Sequence, residues 1–116
     1  MSEFMLSCRP WGCYETILKT DGYQIKRITV NPGKRISLQY HNFRSEHWVI
    51  VSGSGLATIN DEIIGVSKNH HIQIDIKQLH RIENTGNEPL IFIEVQVGDY
   101  LEEDDIVRIE DDYNRC

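Results

Sequence analysis

Pro32-Gly33-Lys34-Arg35-Ile36-Ser37-Leu38-Gln39-Tyr40-His41-Asn42-Phe43-Arg44-Ser45-Glu46-His47-Trp48-Val49-Ile50-Val51-Ser52-Gly53 holds two short β-type runs, 36–41 and 47–51, around a polar stretch and between glycine turns. Side chains of a strand alternate faces with period two. Ser37, Gln39 and His41 therefore share one face of the first run, and Ile36, Leu38 and Tyr40 share the other. If the apolar set packs away from the lumen, the lumen is polar here, and polar groups inside a small β protein must be satisfied by a ligand, a metal or water. The same alternation in Phe92-Ile93-Glu94-Val95-Gln96 puts Glu94 and Gln96 together, opposite Ile93, Val95 and Val97.

Working outward, the chain from Gly12 to Val97 reads as further runs of the same kind, and none keeps an apolar period of 3.6 over helical length. The predicted strands are 14–18, 23–30, 36–41, 47–51, 56–60, 63–66, 71–76, 80–84 and 90–97. So many short strands predict an all-β sandwich or closed barrel. Asp21-Gly22, Asn31-Pro32-Gly33, Ser52-Gly53-Ser54-Gly55, Asn60-Asp61 and Thr85-Gly86-Asn87 supply the turn chemistry between them. Residues 106–113 fit either a short helix or a final strand. The sequence shows no internal repeat, low-complexity segment or linker, so 116 residues predict one domain over 1–116, its core at about 12–98, with an N-terminal arm and an acidic C-terminal segment.

Hydrophobic residues make up 40% and charged residues 26% of the chain, a balance too apolar for a disordered protein. No apolar run reaches membrane-spanning length, and Met1-Ser2-Glu3-Phe4-Met5 lacks a secretory signal, which predicts a cytoplasmic protein with no membrane partner. Cys8, Cys13 and Cys116 show no metal-binding rhythm and read as free thiols. A net charge of −6 argues against nucleic acid as a partner, though two or three placed Lys or Arg side chains suffice for one phosphate ester. Glu102-Glu103-Asp104-Asp105 and Glu110-Asp111-Asp112 read as solvated acidic edges.

Gln39-x-His41-(four residues)-Glu46 after Pro32-Gly33 and before Gly53 is similar to the first metal motif of the cupin barrels, and His80-Arg81-Ile82-Glu83-Asn84 resembles the end of the second. This likeness predicts a cupin-type jelly roll with Gln39, His41, Glu46 and His80 around one divalent ion. Gln39 and His41 point the same way from one strand, Glu46 returns on the adjacent strand, and His80 comes from a strand facing them. An amide oxygen, two imidazoles and a carboxylate suit zinc first, with manganese, cobalt and iron(II) as alternatives. His47, one residue from Glu46, falls on the opposite face, and His70 and His71 read as surface residues.

Longer words carry a closer resemblance. Arg9-Pro10-Trp11-Gly12-x-Tyr14-Glu15, the run 23–33 ending in Asn31-Pro32-Gly33, Ser37-Leu38-Gln39-x-His41-x-x-Arg44-Ser45-Glu46-His47-Trp48, Ile93-Glu94-Val95-Gln96-x-Gly98-x-Tyr100-Leu101 and Glu103-Asp104-Asp105-Ile106-Val107-Arg108 resemble the C-terminal cupin domain of type II mannose-6-phosphate isomerases. In bacteria that domain usually follows a mannose-1-phosphate guanylyltransferase, whose glycine-rich nucleotide loop is absent here, so a stand-alone isomerase without nucleotide transfer is expected. The resemblance implies interconversion of mannose 6-phosphate and fructose 6-phosphate through an enediol. Glu94 and Lys26 are the candidate proton-transfer groups, and Arg9, Arg44, Arg81, Arg108 and Arg115 the candidate phosphate ligands. Each also has a scaffold reading: Glu94 paired with an arginine, Lys26 on the outside, and several arginines in surface ion pairs.

Departures from the family pattern keep other functions open. His41-Asn42-Phe43 replaces a run of three histidines, and Ile74-Asp75-Ile76-Lys77-Gln78-Leu79-His80 lacks the proline and glycine usual before the last ligand. A non-catalytic cupin that binds a sugar phosphate or sugar nucleotide fits these losses. An iron oxygenase on the same barrel fits less well, because Gln39 stands where a histidine is expected. A homodimer pairing through edge strands completes the expectations.

Overall fold

A computed structural model describes residues 5–115. Its strands are β1 (Met5–Arg9), β2 (Gly12–Thr20), β3 (Tyr23–Val30), β4 (Leu38–Tyr40), β5 (Arg44–Ser52), β6 (Ser54–Ile59), β7 (Glu62–Ser67), β8 (His71–Ile74), β9 (His80–Asn84), β10 (Leu90–Gly98) and β11 (Val107–Glu110). They form two antiparallel sheets, ordered β1-β2-β3-β10-β5-β8 and β11-β4-β9-β6-β7. There is no helix among the described residues, so none there is long and apolar enough to cross a membrane. The all-β jelly-roll expectation holds, and residues 106–113 contribute a strand.

The register explains where the site lies. Across β3, β10 and β5, inward residues stack in layers: Ile28 with Phe92 and Ile50, then Lys26 with Glu94 and Trp48, then Gln24 with Gln96 and Glu46. All nine are buried. β3 and β10 thus turn from apolar to polar at the middle layer, and β5 one layer further on, at Glu46. One end of the barrel is a hydrophobic core of Val30, Ile36, Ala57, Ile82 and Leu90 around Trp48 and Phe92, and the other is a cavity lined with ionisable groups. Burying charges beside that core is tolerable only because they face one another and their hydrogen-bonding groups.

Several strand expectations change. The run 36–41 shortens to β4, and Ile36 and Ser37 before it are both buried, which breaks the expected alternation of faces. Ile36 consequently joins the core rather than packing away from the lumen. β1 was not anticipated; it pairs with β2 through the tight turn at Pro10-Trp11. At the turn into β6, Gly53 has φ +85, and a Cβ there would sit 2.5 Å from the Pro89 carbonyl oxygen, so glycine is required on both counts. Cys8 and Cys13 are free thiols, as expected, while Cys116 lies outside the described residues.

Candidate metal centre

His41, Glu46 and His80 converge, each offering a ligand atom within 4.8 Å of the others'. His41 follows the end of β4, Glu46 sits in β5 and His80 opens β9. The spatial order is the reverse of that expected. His80 lies beside Gln39 on the neighbouring strand of the same sheet, and Glu46 reaches in from the facing sheet. His41 Nε2 is 3.2 Å from Glu46 Oε2, and His80 Nε2 is 3.9 Å from Glu46 Oε1. Gln39 lines the same cavity, its Oε1 accepting from Ser37 Oγ at 3.0 Å.

Outer hydrogen bonds set both imidazoles in a ligating form. His41 Nδ1 donates to the Asp105 carbonyl at 2.6 Å and His80 Nδ1 to the Gln78 carbonyl at 2.9 Å. A carbonyl only accepts, so each Nδ1 carries the hydrogen and each Nε2 lone pair faces Glu46. His80 Nε2 is buried without a partner, and burial pushes this imidazole down to about 4 against the opposing pull of Glu46. A neutral imidazole with an orphaned lone pair beside a carboxylate fits a divalent cation.

Arg44 is wedged against the trio, its Nε donating to Glu46 Oε2 at 2.9 Å and its Nη2 to His41 Nε2 at 3.3 Å. Burial alone would raise the Glu46 carboxyl, but its contacts with His41, His80 and Arg44 hold it well below the ordinary range. Glu94 goes the other way. Burial, then the Glu46 charge and hydrogen bond, push it well above the usual carboxylate range, against the pull of Arg44 and Lys26. The two carboxyls are bridged by Trp48, whose Nε1 donates to Glu46 Oε1 at 3.0 Å and Glu94 Oε2 at 3.1 Å. Gln96 Nε2 donates to Glu94 Oε1 at 2.6 Å. Glu94 thus sits in a polar network of Trp48 and Gln96, with the charges of Arg44 and Lys26 pulling against its rise.

Lys26 is inside the barrel, 4% exposed, with Nζ 2.5 Å from Glu103 Oε2 and 4.3 Å from the Tyr14 ring centroid. Arg9, Arg44, Arg108 and Arg115 also line the cavity. Arg81 does not: its Nε donates to the Ile36 carbonyl and its Nη1 to Glu110, tying β9 to β11. His47 does point away from the centre, beside the exposed His71, with His47 Nδ1 3.3 Å from His71 Nε2.

Sequence reasoning missed Trp48, Gln24, Glu103 and Asp105. The acidic run read as a solvated edge is partly structural. Asp105 is buried, accepts from the Asn42 and Phe43 backbone N–H groups at 2.8 and 3.0 Å, and lends its carbonyl to His41. Four consecutive acids carry no periodic sign that one of them turns inward.

The altered turn before His80 keeps the backbone that glycine usually supplies. Lys77 has φ +66 and donates its N–H to the His41 carbonyl at 2.7 Å, coupling the turn to a ligand. A left-handed non-glycine residue costs about 1–2 kcal/mol, and glycine returns about 0.5–1 kcal/mol of that as chain entropy. Lys77→Gly is therefore expected to stabilise the protein by about 0.5–1 kcal/mol, seen as a melting point a few degrees higher. A lower melting point would show that the lysine side chain, not the backbone, holds the turn.

Known proteins share both sequence and shape with this chain. The sequence profile of the family described as "Mannose-6-phosphate isomerase C-terminal" matches residues 2–111. The mannose-1-phosphate guanylyltransferase ManC of Salmonella typhimurium is 50% identical over 107 residues, covering 92% of this chain and 22% of its own length. The alginate biosynthesis protein AlgA of Pseudomonas aeruginosa is 48% identical, with 92% and 22% covered. The chain thus spans less than a quarter of the curated relatives it matches. Among solved structures, the capsular polysaccharide assembling protein CapF of Staphylococcus aureus superposes with a TM-score of 0.81 at 25% identity, covering 95% of this chain and 35% of that one. An oxalate decarboxylase of Lactobacillus farciminis gives 0.79 at 19% identity, covering 91% and 33%, a likeness of cupin fold alone.

Proposed function

The chain belongs to the mannose-6-phosphate isomerase C-terminal family, and from that premise we propose that it interconverts mannose 6-phosphate and fructose 6-phosphate. The observation that carries the reading is the buried His41–Glu46–His80 trio, with the His80 Nε2 lone pair unmatched, opening on a cavity that also holds Glu94, a carboxyl raised by burial above its usual range. Gln39, His41, Glu46 and His80 would hold one divalent ion, zinc first. Such an ion supplies Lewis-acid stabilisation of the negative charge that grows on the sugar oxygens.

The remaining steps fall to the chain's own side chains. Isomerisation moves a proton between two adjacent carbons, and a carboxyl raised toward neutrality is suited to giving and taking it. Glu94 has that environment, and Lys26, paired with it across β3 and β10, adds positive charge beside it. Gln96 and Trp48 fix the Glu94 carboxyl by hydrogen bonds to both oxygens. Arg9, Arg44, Arg108 and Arg115 line the cavity that would receive the phosphate, whereas Arg81 is committed to Glu110 and the Ile36 carbonyl.

A coupled assay on the purified chain tests this. Fructose 6-phosphate is expected to appear from mannose 6-phosphate, to stop on chelation and to resume with zinc, manganese or cobalt. Tight binding of mannose 6-phosphate without product would instead favour a non-catalytic sugar-phosphate binder. That second reading draws support from the replaced histidines at Asn42 and Phe43.

A further inference from the structure

We propose that Cys8 and Cys13 form a reversible intrachain disulfide that locks the β1–β2 hairpin and, with it, Arg9 at the cavity. The register sets Cys8 opposite Cys13, one pair beyond Arg9 opposite Gly12, where the tight turn begins. Antiparallel pairs alternate between hydrogen-bonded and non-hydrogen-bonded types. The pair closing a two-residue turn is of the first type, which makes Cys8 and Cys13 the second, with Cα atoms about 4.5 Å apart and side chains on one face. Disulfides span Cα separations of about 4.4–6.8 Å, so the backbone is already placed for the bond.

The thiols are accessible. Arg9 and Tyr14 line the cavity, so alternation turns Cys8 and Cys13 to the outer face of the sheet, where Cys8 is exposed and Cys13 half-buried. The oxidant required is a low-molecular-weight disulfide. The Cys8 thiolate attacks one of its sulfurs and expels one reduced thiol, leaving a mixed disulfide on the protein. The Cys13 thiolate then attacks the Cys8 sulfur, the Cys8–Cys13 bond forms, and the second reduced thiol leaves. The two cysteine protons end on the two released thiols, and the pair's two electrons reduce the oxidant.

The lock acts on a segment with few other restraints. Among the described residues, β1 is the edge of its sheet and pairs only with β2. Arg9 Nη1 donates to the Cys8 carbonyl at 2.8 Å and Nη2 to the Tyr14 hydroxyl at 3.1 Å, so its guanidinium is held by the two strands the bond would join. A loop closed over so few residues constrains the unfolded chain little, and the effect belongs to local opening of the edge strand rather than to global unfolding.

The inference does not depend on isomerase activity, and neither does its test. The full chain is equilibrated with glutathione disulfide, then read by intact mass, peptide mapping and amide hydrogen exchange. We expect a mass lower by two hydrogens, a Cys8–Cys13 cross-linked peptide and slower exchange through β1. Cys13→Ser should stop at the glutathione adduct on Cys8. Wild-type protein that retains glutathione on Cys8 or Cys13, or that cross-links through Cys116, overturns the disulfide. A cross-linked chain with unchanged β1 exchange overturns the lock.

Discussion

Alanine at position 46 is expected to abolish tight metal binding and to cost about 3–5 kcal/mol of folding stability in metal-free protein, because it leaves a buried arginine without its counter-charge. Glu46 is 1% exposed and Arg44 6%, and Glu46 takes the Arg44 Nε donor as well as the Trp48 indole. Removing the carboxylate strands both donors beside the two imidazoles, where water does not readily replace it. Glu46→Gln should lose metal as fully but less stability, since an amide oxygen still accepts one of those hydrogen bonds. Adding Arg44→Met to Glu46→Ala should recover part of the loss, the non-additivity expected of contacting groups. Urea unfolding with chelator present gives the stabilities, and elemental analysis gives the metal content. A Glu46→Ala chain with full metal and wild-type stability would dismantle the proposed centre.

Why some of this was readable from residue order and some was not comes down to parity. Alternation holds from Arg44 to Ile50 in β5 and from Phe92 to Gln96 in β10, so placing Glu94 and Gln96 on one face and His47 away from Glu46 required only counting. The ligand trio was legible through motif spacing, but its spatial order was not. Whether Glu46 or His80 sits beside Gln39 depends on which strands pair across β4, and nothing local in the chain encodes that pairing. Arg81 illustrates a further limit. It follows a ligand directly and its charge suits phosphate, yet alternation turns it away from His80 toward Glu110. Asp105 and Glu103 were hidden by composition, because a solvated acidic run and one that caps a ligand loop and pairs a buried lysine are spelled alike. β1 lay in an arm whose apolar residues are too few to declare a strand without the partner β2 supplies.

In metal-free protein, Glu94→Gln should make stability rise more steeply with pH above about 4.5 than in the wild type, by up to about 1.4 kcal/mol per unit. Two buried groups oppose each other in that window. His80 is lowered to about 4 in the fold, chiefly by burial, from an unfolded value of 6.5. Between these values the unfolded chain holds a proton that the folded chain does not, so lowering the pH destabilises the protein, by about 3 kcal/mol in all. Glu94 is raised well above 4.5, again by burial first. Above 4.5 the folded chain holds a proton that the unfolded chain has lost, so stability drains away as the pH rises toward the folded value. The slopes have opposite sign where the windows overlap; glutamine at position 94 removes one and exposes the other. Glu46, held well below 4.5, adds its own loss only as the pH falls beneath that value, outside the window. Denaturant melts of wild type and variant in chelator at pH 5, 6 and 7 decide the matter. Parallel profiles for the two proteins would mean that Glu94 is ionised in the fold, and with that its fitness to hand a proton between sugar carbons would be lost.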